Sequence, residues 1–259
     1  MRAVIVGASS GLGRCIGTGL AEKGAQVALM GRRAELLATA AEEAGANAVA
    51  ITCDATDEAS VAEAIAAAVD HLGGIDGLVY TAGTAPLVKL ADLDVDTWRR
   101  AFDTNVIGAA VVTRAALPHL LESSGTAVYL SSVSASQTPP WPGLGAYATS
   151  KAALDKMVDA WRVEHPEIGF TRLVVGECAG GSGDSVTQMA SAWDLELAAE
   201  MVPTWVQRNY MTGALMDVAQ LVATVDMVLN SDVTANLPSV TVAPRLITPE
   251  AFPEFSDDA

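Results

Sequence analysis

Two periodicities take turns along this chain. Short runs of consecutive apolar residues, rich in β-branched side chains, recur at 3–7, 26–30, 48–53, 75–80, 126–131, 171–176 and 238–243. Unbroken apolarity over about five residues is what a strand requires when both faces of its sheet are covered. Between these runs lie longer stretches, at 12–23, 33–44, 57–72, 96–121, 146–164 and 216–230, in which Ala, Leu and Val return at spacings of three and four. That is the helical period. The alternation predicts an α/β fold: one doubly wound parallel sheet of seven strands with helices on both faces. No linker or repeat divides residues 1–247, which we expect to form a single domain. Within it, 178–215 is a long connection opening on Gly180-Gly181-Ser182-Gly183, expected to act as a mobile flap, and 248–259 is expected to be a loosely held acidic tail.

Composition narrows the function. Of 259 residues, 15 are basic and 31 acidic, for a formal charge of −16. Such a balance repels phosphate backbones and anionic lipid, so neither nucleic acid nor a membrane is an expected partner. Cys15, Cys53 and Cys178 are odd in number and far apart, and with only 3 His they predict neither a disulfide framework nor a metal site. A reducing cytoplasm is the expected location. The apolar run after Met1-Arg2 is too short for a signal-peptide core, and runs such as 106–112 fall short of the roughly 20 residues that cross a bilayer.

Directly after the first strand stands Gly7-Ala8-Ser9-Ser10-Gly11-Leu12-Gly13, and a helix opens there. Glycines permit a tight turn and let backbone N–H groups approach a pyrophosphate, whose charge a helix N-terminus favours. This makes the fold Rossmann-type and predicts dinucleotide contacts from Gly7, Ser9, Ser10, Gly11, Leu12 and Gly13. At the end of the second strand, where a binder of NAD usually places a carboxylate on the ribose, the chain has Arg32 and Arg33. A guanidinium pairs with a 2′-phosphate that a carboxylate would repel, so NADP(H) is predicted over NAD(H), with Arg32 the better candidate. Asp54, with Ala55 beside it, either borders the adenine pocket or caps the next helix, whose start is crowded by Asp54, Thr56 and Asp57.

Tyr147-Ala148-Thr149-Ser150-Lys151 sets a phenol and an ammonium four residues apart, on one helix face. The nearby positive charge is expected to lower the phenol pKa and make Tyr147 a proton donor near neutral pH. Ser131 and Ser132 end the fifth strand, at the edge where ligands sit in open α/β sheets, and Asn105 lies inside the predicted 96–121 helix, where asparagine is a mediocre former.

Together, Gly7-x-x-x-Gly11-x-Gly13, Asp54, Thr81-Ala82-Gly83, Asn105, Ser132 and Tyr147-x-x-x-Lys151 resemble the short-chain dehydrogenase/reductase (SDR) family in order and approximate spacing, over nearly the whole chain. The resemblance implies Tyr147 as general acid/base and Ser132 as the group that orients a substrate carbonyl. Lys151 would hold the nicotinamide ribose and lower the Tyr147 pKa, and Asn105 would anchor a water in a proton relay. Ala82 and Gly83 would join the cofactor contacts. It also implies the strand order 3-2-1-4-5-6-7 and a homo-oligomer, often a tetramer.

The chain departs from that pattern at four places. Val6 stands where Thr usually precedes the first glycine, Thr81 replaces the customary Asn, and Pro139-Pro140-Trp141-Pro142-Gly143 lengthens the interval before Tyr147. The Pro-Gly expected after the sixth strand is Gly176-Glu177. Met189, Trp193, Leu195, Leu197, Met201, Val202, Trp205 and Met211 give the 178–215 segment the bulk of a lid over a hydrophobic ligand, or of a subunit interface. Trp141, Trp193 and Trp205 are the expected substrate contacts. The expected activity is hydride transfer between NADP(H) and a hydrophobic ketone or secondary alcohol; the alternative is a dinucleotide-binding sensor or scaffold of the same fold without turnover.

Overall fold

The computed structural model describes residues 1–180 and 188–245. The glycine-rich opening of the expected flap, beyond Gly180, and the expected acidic tail fall outside the described residues. Seven parallel strands, β1 (Arg2–Val6), β2 (Gln26–Gly31), β3 (Ala48–Thr52), β4 (Gly77–Tyr80), β5 (Thr126–Ser132), β6 (Gly169–Val175) and β7 (Ser239–Val242), form one sheet in the order β3-β2-β1-β4-β5-β6-β7. This is the topology implied by the resemblance.

Alternate residues of the central strands feed opposite layers. Ala3 and Ile5 of β1 and Val27 and Leu29 of β2 pack against helices α1 (Gly11–Glu22), α2 (Ala34–Ala44) and, later in the chain, the helix at Val218–Leu229. Val4, Val6, Ala28 and Met30 point to the other layer, against α3 (Glu58–Leu72) and two further helices that contribute Ala109, Val112, Ala116, Leu154 and Val158. Burial on both faces explains why these strands read as unbroken apolar runs.

The predicted 96–121 helix is two helices, α4 (Val95–Phe102) and α5 (Gly108–Ser123), joined by a π-helical stretch at Asp103–Ile107 that contains Asn105. A wide turn of this kind re-aims one side chain and is frequent at functional sites. Beyond β5 come a single turn, α6 (Val133–Ser136), and the long α7 (Gly145–Glu164), followed by α8 (Leu195–Gln207) and α9 (Val218–Leu229). Helix α8 lies inside the segment expected to be only a connection. Its buried Met201 and Trp205 join Leu87, Trp141 and Leu144 in a third apolar cluster above the C-terminal edge of the sheet.

Strand order reverses between β1 and β4, and at that switch point a cleft of about 890 Å³ opens along the strand ends. Among the described residues no helix is long and apolar enough to cross a membrane, and no group of three or more His, Cys, Asp or Glu converges to hold a metal.

Candidate active site

One end of the cleft is built by the glycine turn. Gly7 has φ +94°, a value that L side chains rarely adopt, and a Cβ on it would lie 2.5 Å from the backbone N of Ala82. Its N–H and that of Ala8 donate to the Met30 carbonyl at 2.8 and 2.9 Å. Thr81, which replaces the customary Asn, donates its hydroxyl to the Val6 carbonyl at 2.7 Å and so ties β4 to the turn.

Helix α1 begins without a carboxylate cap. Helices α3, α4, α8 and α9 are capped by the carboxylates of Asp57, Asp94, Asp194 and Asp217. The N-cap of α1, Ser10, makes no side-chain cap bond, and no acidic residue stands in the first turn. The N-terminal dipole and amides of α1 therefore carry no acidic cap or first-turn carboxylate of their own, which is the electrostatic condition for receiving a phosphate.

The two arginines after β2 divide their positions. Arg33, not the favoured Arg32, reaches the turn: its Nε and Nη2 donate to Ser9 Oγ at 3.1 and 2.9 Å, and Nη2 also bonds Ser10 Oγ. Arg32 borders the same cleft, close enough for its charge to help lower the Asp54 pKa, which falls chiefly through hydrogen bonds from Thr56. Asp54 Oδ1 accepts from the Thr56 N–H and hydroxyl at 3.0 and 2.8 Å, while Asp57 is the residue that caps α3. The capping alternative for Asp54 is thereby removed. Asp54, Ala55, Ala82 and Gly83 all line the cleft.

The middle of the cleft gathers Ser132, Tyr147 and Lys151. Tyr147 and Lys151 share one face of α7, with the ammonium 5.9 Å from the centre of the phenol ring. Ser132 stands near enough to the phenol to influence its titration, and Ser132 Oγ lies 2.9 Å from Ser134 Oγ. Ser131, the other candidate at the strand end, sits beside Asp155 instead. Lys151 donates to the Leu130 carbonyl at 2.6 Å. Burial lowers its pKa to about 8, against the opposing charge of Asp155.

For Tyr147 the expected direction is reversed. By exposed surface the side chain is half-buried, since it borders the cleft, yet protein surrounds it closely enough for desolvation to dominate. Burial raises the phenol pKa and the Asp155 charge adds to this, while the neighbouring Ser132 hydroxyl opposes both. The result is a phenol held protonated.

Asn105 is fully buried and its side chain is engaged. Nδ2 donates to the Thr84 carbonyl at 2.9 Å and to Ser150 Oγ at 2.8 Å, and Oδ1 accepts from the Thr84 N–H at 2.8 Å. Both amide hydrogens are thus occupied by protein, and the side chain braces the loop after β4 against α7. Gly83 keeps the space beside it open, because a Cβ there would lie 3.3 Å from Asn105 Oδ1 and 3.7 Å from Lys151 Nζ.

The far wall is aromatic. Trp141 and Trp205 have ring centroids 5.3 Å apart, and Trp193 meets Trp205 edge-on at 5.7 Å. Each indole N–H has a protein acceptor: Thr138 Oγ1 at 3.1 Å for Trp141, the Ala85 carbonyl at 2.8 Å for Trp193 and the Pro142 carbonyl at 2.9 Å for Trp205. The inserted Pro-rich loop therefore serves as the platform on which α8 docks. Met189, Trp193, Val202, Trp205 and Met211 line the cleft, whereas Leu195 is solvent-exposed and Leu197 and Met201 lie in the cluster behind.

Glu177 lies in the stretch that replaces the expected Pro-Gly. Both carboxylate oxygens accept from the Thr212 N–H, at 2.8 and 3.0 Å, and Oε2 also accepts from the Thr212 hydroxyl at 2.7 Å. The adjacent Cys178 pairs with Met216 as an isolated bridge. These contacts pin the end of the 178–215 segment to the end of β6.

The short chain dehydrogenase family model matches residues 1–196, and the chain belongs to that family. It is an oxidoreductase of the short-chain type, a family that binds a nicotinamide dinucleotide. Among similar proteins are an uncharacterized oxidoreductase of Staphylococcus epidermidis, 33% identical over 168 residues that cover 64% of this chain and 72% of the relative, and the glycine betaine reductase ATRR of Emericella nidulans, 36% identical over 166 residues that cover 62% of this chain and 13% of that protein. Two solved structures share the fold. A short-chain type dehydrogenase/reductase from Mycobacterium marinum superposes with a TM-score of 0.81 at 24% identity, covering 96% of each chain. An alcohol dehydrogenase from Thermococcus sibiricus, complexed with 5-hydroxy-NADP, gives 0.78 at 21% identity over 96% of this chain and 98% of that one.

Proposed function

We propose that this protein transfers a hydride between NADP(H) and a hydrophobic ketone or secondary alcohol, with Tyr147 as general acid/base. The observation that carries the reading is the meeting of Ser132, Tyr147 and Lys151 in one cleft, between a glycine turn that opens a helix with no acidic cap and a wall of three tryptophans.

The residues fit a dinucleotide. Ser10, Gly11, Leu12 and Gly13 would receive the pyrophosphate, and Arg33 and Arg32 with Ser9 the 2′-phosphate. Asp54 and Ala55 would border the adenine, Ala82 and Gly83 the path between, and Lys151 the nicotinamide ribose. When bound, the dinucleotide supplies or accepts the hydride. The chain's own work is to orient and to move a proton. Ser132 donates a hydrogen bond to the carbonyl oxygen, and Tyr147, kept protonated by its burial, delivers the proton in reduction and takes it back in oxidation. Asn105 fixes α7 against the loop after β4 and so holds Tyr147 and Lys151 in register. The tryptophan wall excludes water and selects apolar substituents. The reading includes a cytoplasmic homo-oligomer, for which exposed Ile107, Leu121 and Val163 offer apolar area and whose size sedimentation velocity measures.

NADPH oxidation with a panel of bulky ketones tests the proposal. Tyr147→Phe should lower turnover by about 100-fold or more; turnover that survives the change removes the proton-donor role. Arg33→Ala should weaken NADPH about tenfold, a loss of about 1.4 kcal/mol, and leave NADH binding unchanged. Equal losses for both cofactors would remove the 2′-phosphate contact.

A further inference from the structure

The reaction machinery on α7 does not end at Lys151. One turn further along the same helix face, Asp155 is buried, and neither carboxylate oxygen has a hydrogen-bond partner among the described residues. A buried ionised carboxylate is costly unless something repays it. The surroundings name what that is. Lys151 is anchored on the carbonyl of Leu130, and Asp155 lies beside Ser131, the next residue of β5, whose hydroxyl is also buried and without a bond of good geometry. Two successive helical turns thus rest on two successive residues of the strand that delivers Ser132. The charged groups that face Asp155 are Lys151 on its own helix, Arg172 across on β6, and Asp159 one turn beyond. Arg172 leaves its Nε buried and unbonded, and its guanidinium reaches Asp159 at 3.7 Å.

We propose that Asp155 is a positioning residue for the site, its buried carboxylate holding the Lys151 ammonium charged and fixed between Leu130 and the cleft. The inference deepens the reading above, on which it rests for the use of Lys151. Desolvation works against the charge of a lysine at this depth, and among the described residues its one bonded acceptor is the Leu130 carbonyl. Asp155 supplies the compensating charge from outside the cleft lining; burial raises its own pKa, and the charges of Arg172 and Lys151 oppose that rise.

Titration of Lys151 in the ligand-free protein tests this directly. The chain's lysines are Lys23, Lys89, Lys151 and Lys156, so carbon-13 labelling at lysine Cε gives a spectrum in which Lys151 is assigned by difference against Lys151→Arg. The parent midpoint is expected near about 8. In Asp155→Asn it should fall by about one pH unit or more, in Asp155→Glu it should stay near the parent, and the other three lysines should not move. Arg172→Met should shift Lys151 in the same direction as Asp155→Asn, and it carries the test if that variant does not fold. A Lys151 midpoint that is the same in the parent and in every folded variant overturns the inference. The pH profile of ketone reduction separates the two claims: a parent that titrates as expected but never turns over NADPH with ketones sinks the reading of the reaction, whereas a working parent whose Lys151 ignores Asp155 sinks only the role given to Asp155.

Discussion

A methyl group added at Gly13 is the sharpest test of the cofactor cradle. Its Cβ would lie 2.4 Å from the Gly7 carbonyl oxygen and 2.2 Å from Thr81 Oγ1, where ordinary contact begins near 3.4 Å. The Thr81 hydroxyl is held by its bond to Val6, and the Gly7 carbonyl belongs to the turn itself, so neither is a loose side-chain end. The shortfall of about 1 Å is met by pushing the first turn of α1 away from β1. Overpacking of this kind costs about 1–3 kcal/mol, and replacing Gly by Ala inside a helix returns about 1, so folding stability should fall by no more than about 2 kcal/mol. Dinucleotide affinity should fall further, because amides aimed at a charged phosphate are worth about 1.5–3 kcal/mol each and a displaced helix end misdirects them. The expected loss is about 10- to 100-fold in Kd for NADPH, read by quenching of tryptophan fluorescence, with Tm as the companion measurement. Gly17→Ala is the control. Its Cβ would meet Leu29 Cδ2 at 2.3 Å, a side-chain end in the core away from the cleft, so it should lower Tm and spare affinity. If Gly13→Ala bound NADPH as tightly as the parent, the turn would not be the phosphate cradle.

Three further outcomes are expected. Thr212→Val removes the hydroxyl donor to Glu177, and Glu177→Gln brings an amide against the Thr212 N–H; each should raise the KM for a bulky ketone several-fold, consistent with about 1–1.5 kcal/mol, while leaving the NADPH Kd in place. An unchanged KM in both would detach the clamp from substrate binding. Trp205→Ala empties a site that is 1% exposed and should cost about 3–5 kcal/mol by denaturant titration, a loss much larger than that of any exposed residue of α8. Asp76 is held below its ordinary pKa, first by its hydrogen bond from Arg2, so the stability it contributes is present above its unfolded value of 3.8 and is lost as pH falls through the lower folded value. Arg2→Met should therefore flatten the acid side of the Tm–pH curve; a parent and variant that lose stability in parallel below pH 3.8 would count against the pair.

Much of the architecture was legible because burial on both faces leaves a simple mark. β1, β2, β4 and β5 are unbroken apolar runs, and the helices that cover them carry their buried residues three and four apart. The break inside 96–121 was not legible, because the side chain at its centre, Asn105, bonds Thr84 and Ser150, partners 21 and 45 positions away. Helix α8 was read as connection for a similar reason: its apolar face packs on residues distant in sequence, Trp141 of the inserted loop, Leu144 and Leu87. The choice between Arg32 and Arg33 turns on which of two adjacent side chains folds back over Ser9 and Ser10, and spacing alone carries no such information. Asp155 and Glu177 escaped attention as functional groups because their significance lies in Lys151 with Arg172, and in Thr212, none of which a motif joins to them.

The indole nitrogens of Trp141, Trp193 and Trp205 are all turned to partners within the protein. What this wall offers an incoming molecule is therefore contour without hydrogen-bonding capacity. Preference on such a surface grows by increments of about 1–3 kcal/mol per well-seated methylene, and rejection of a near-isostere bearing an extra hydroxyl is correspondingly weak. Candidate substrates should rank by bulk and fit in a graded series, and adding a polar acceptor to the wall, rather than reshaping it, is the change that would give the site a sharp choice.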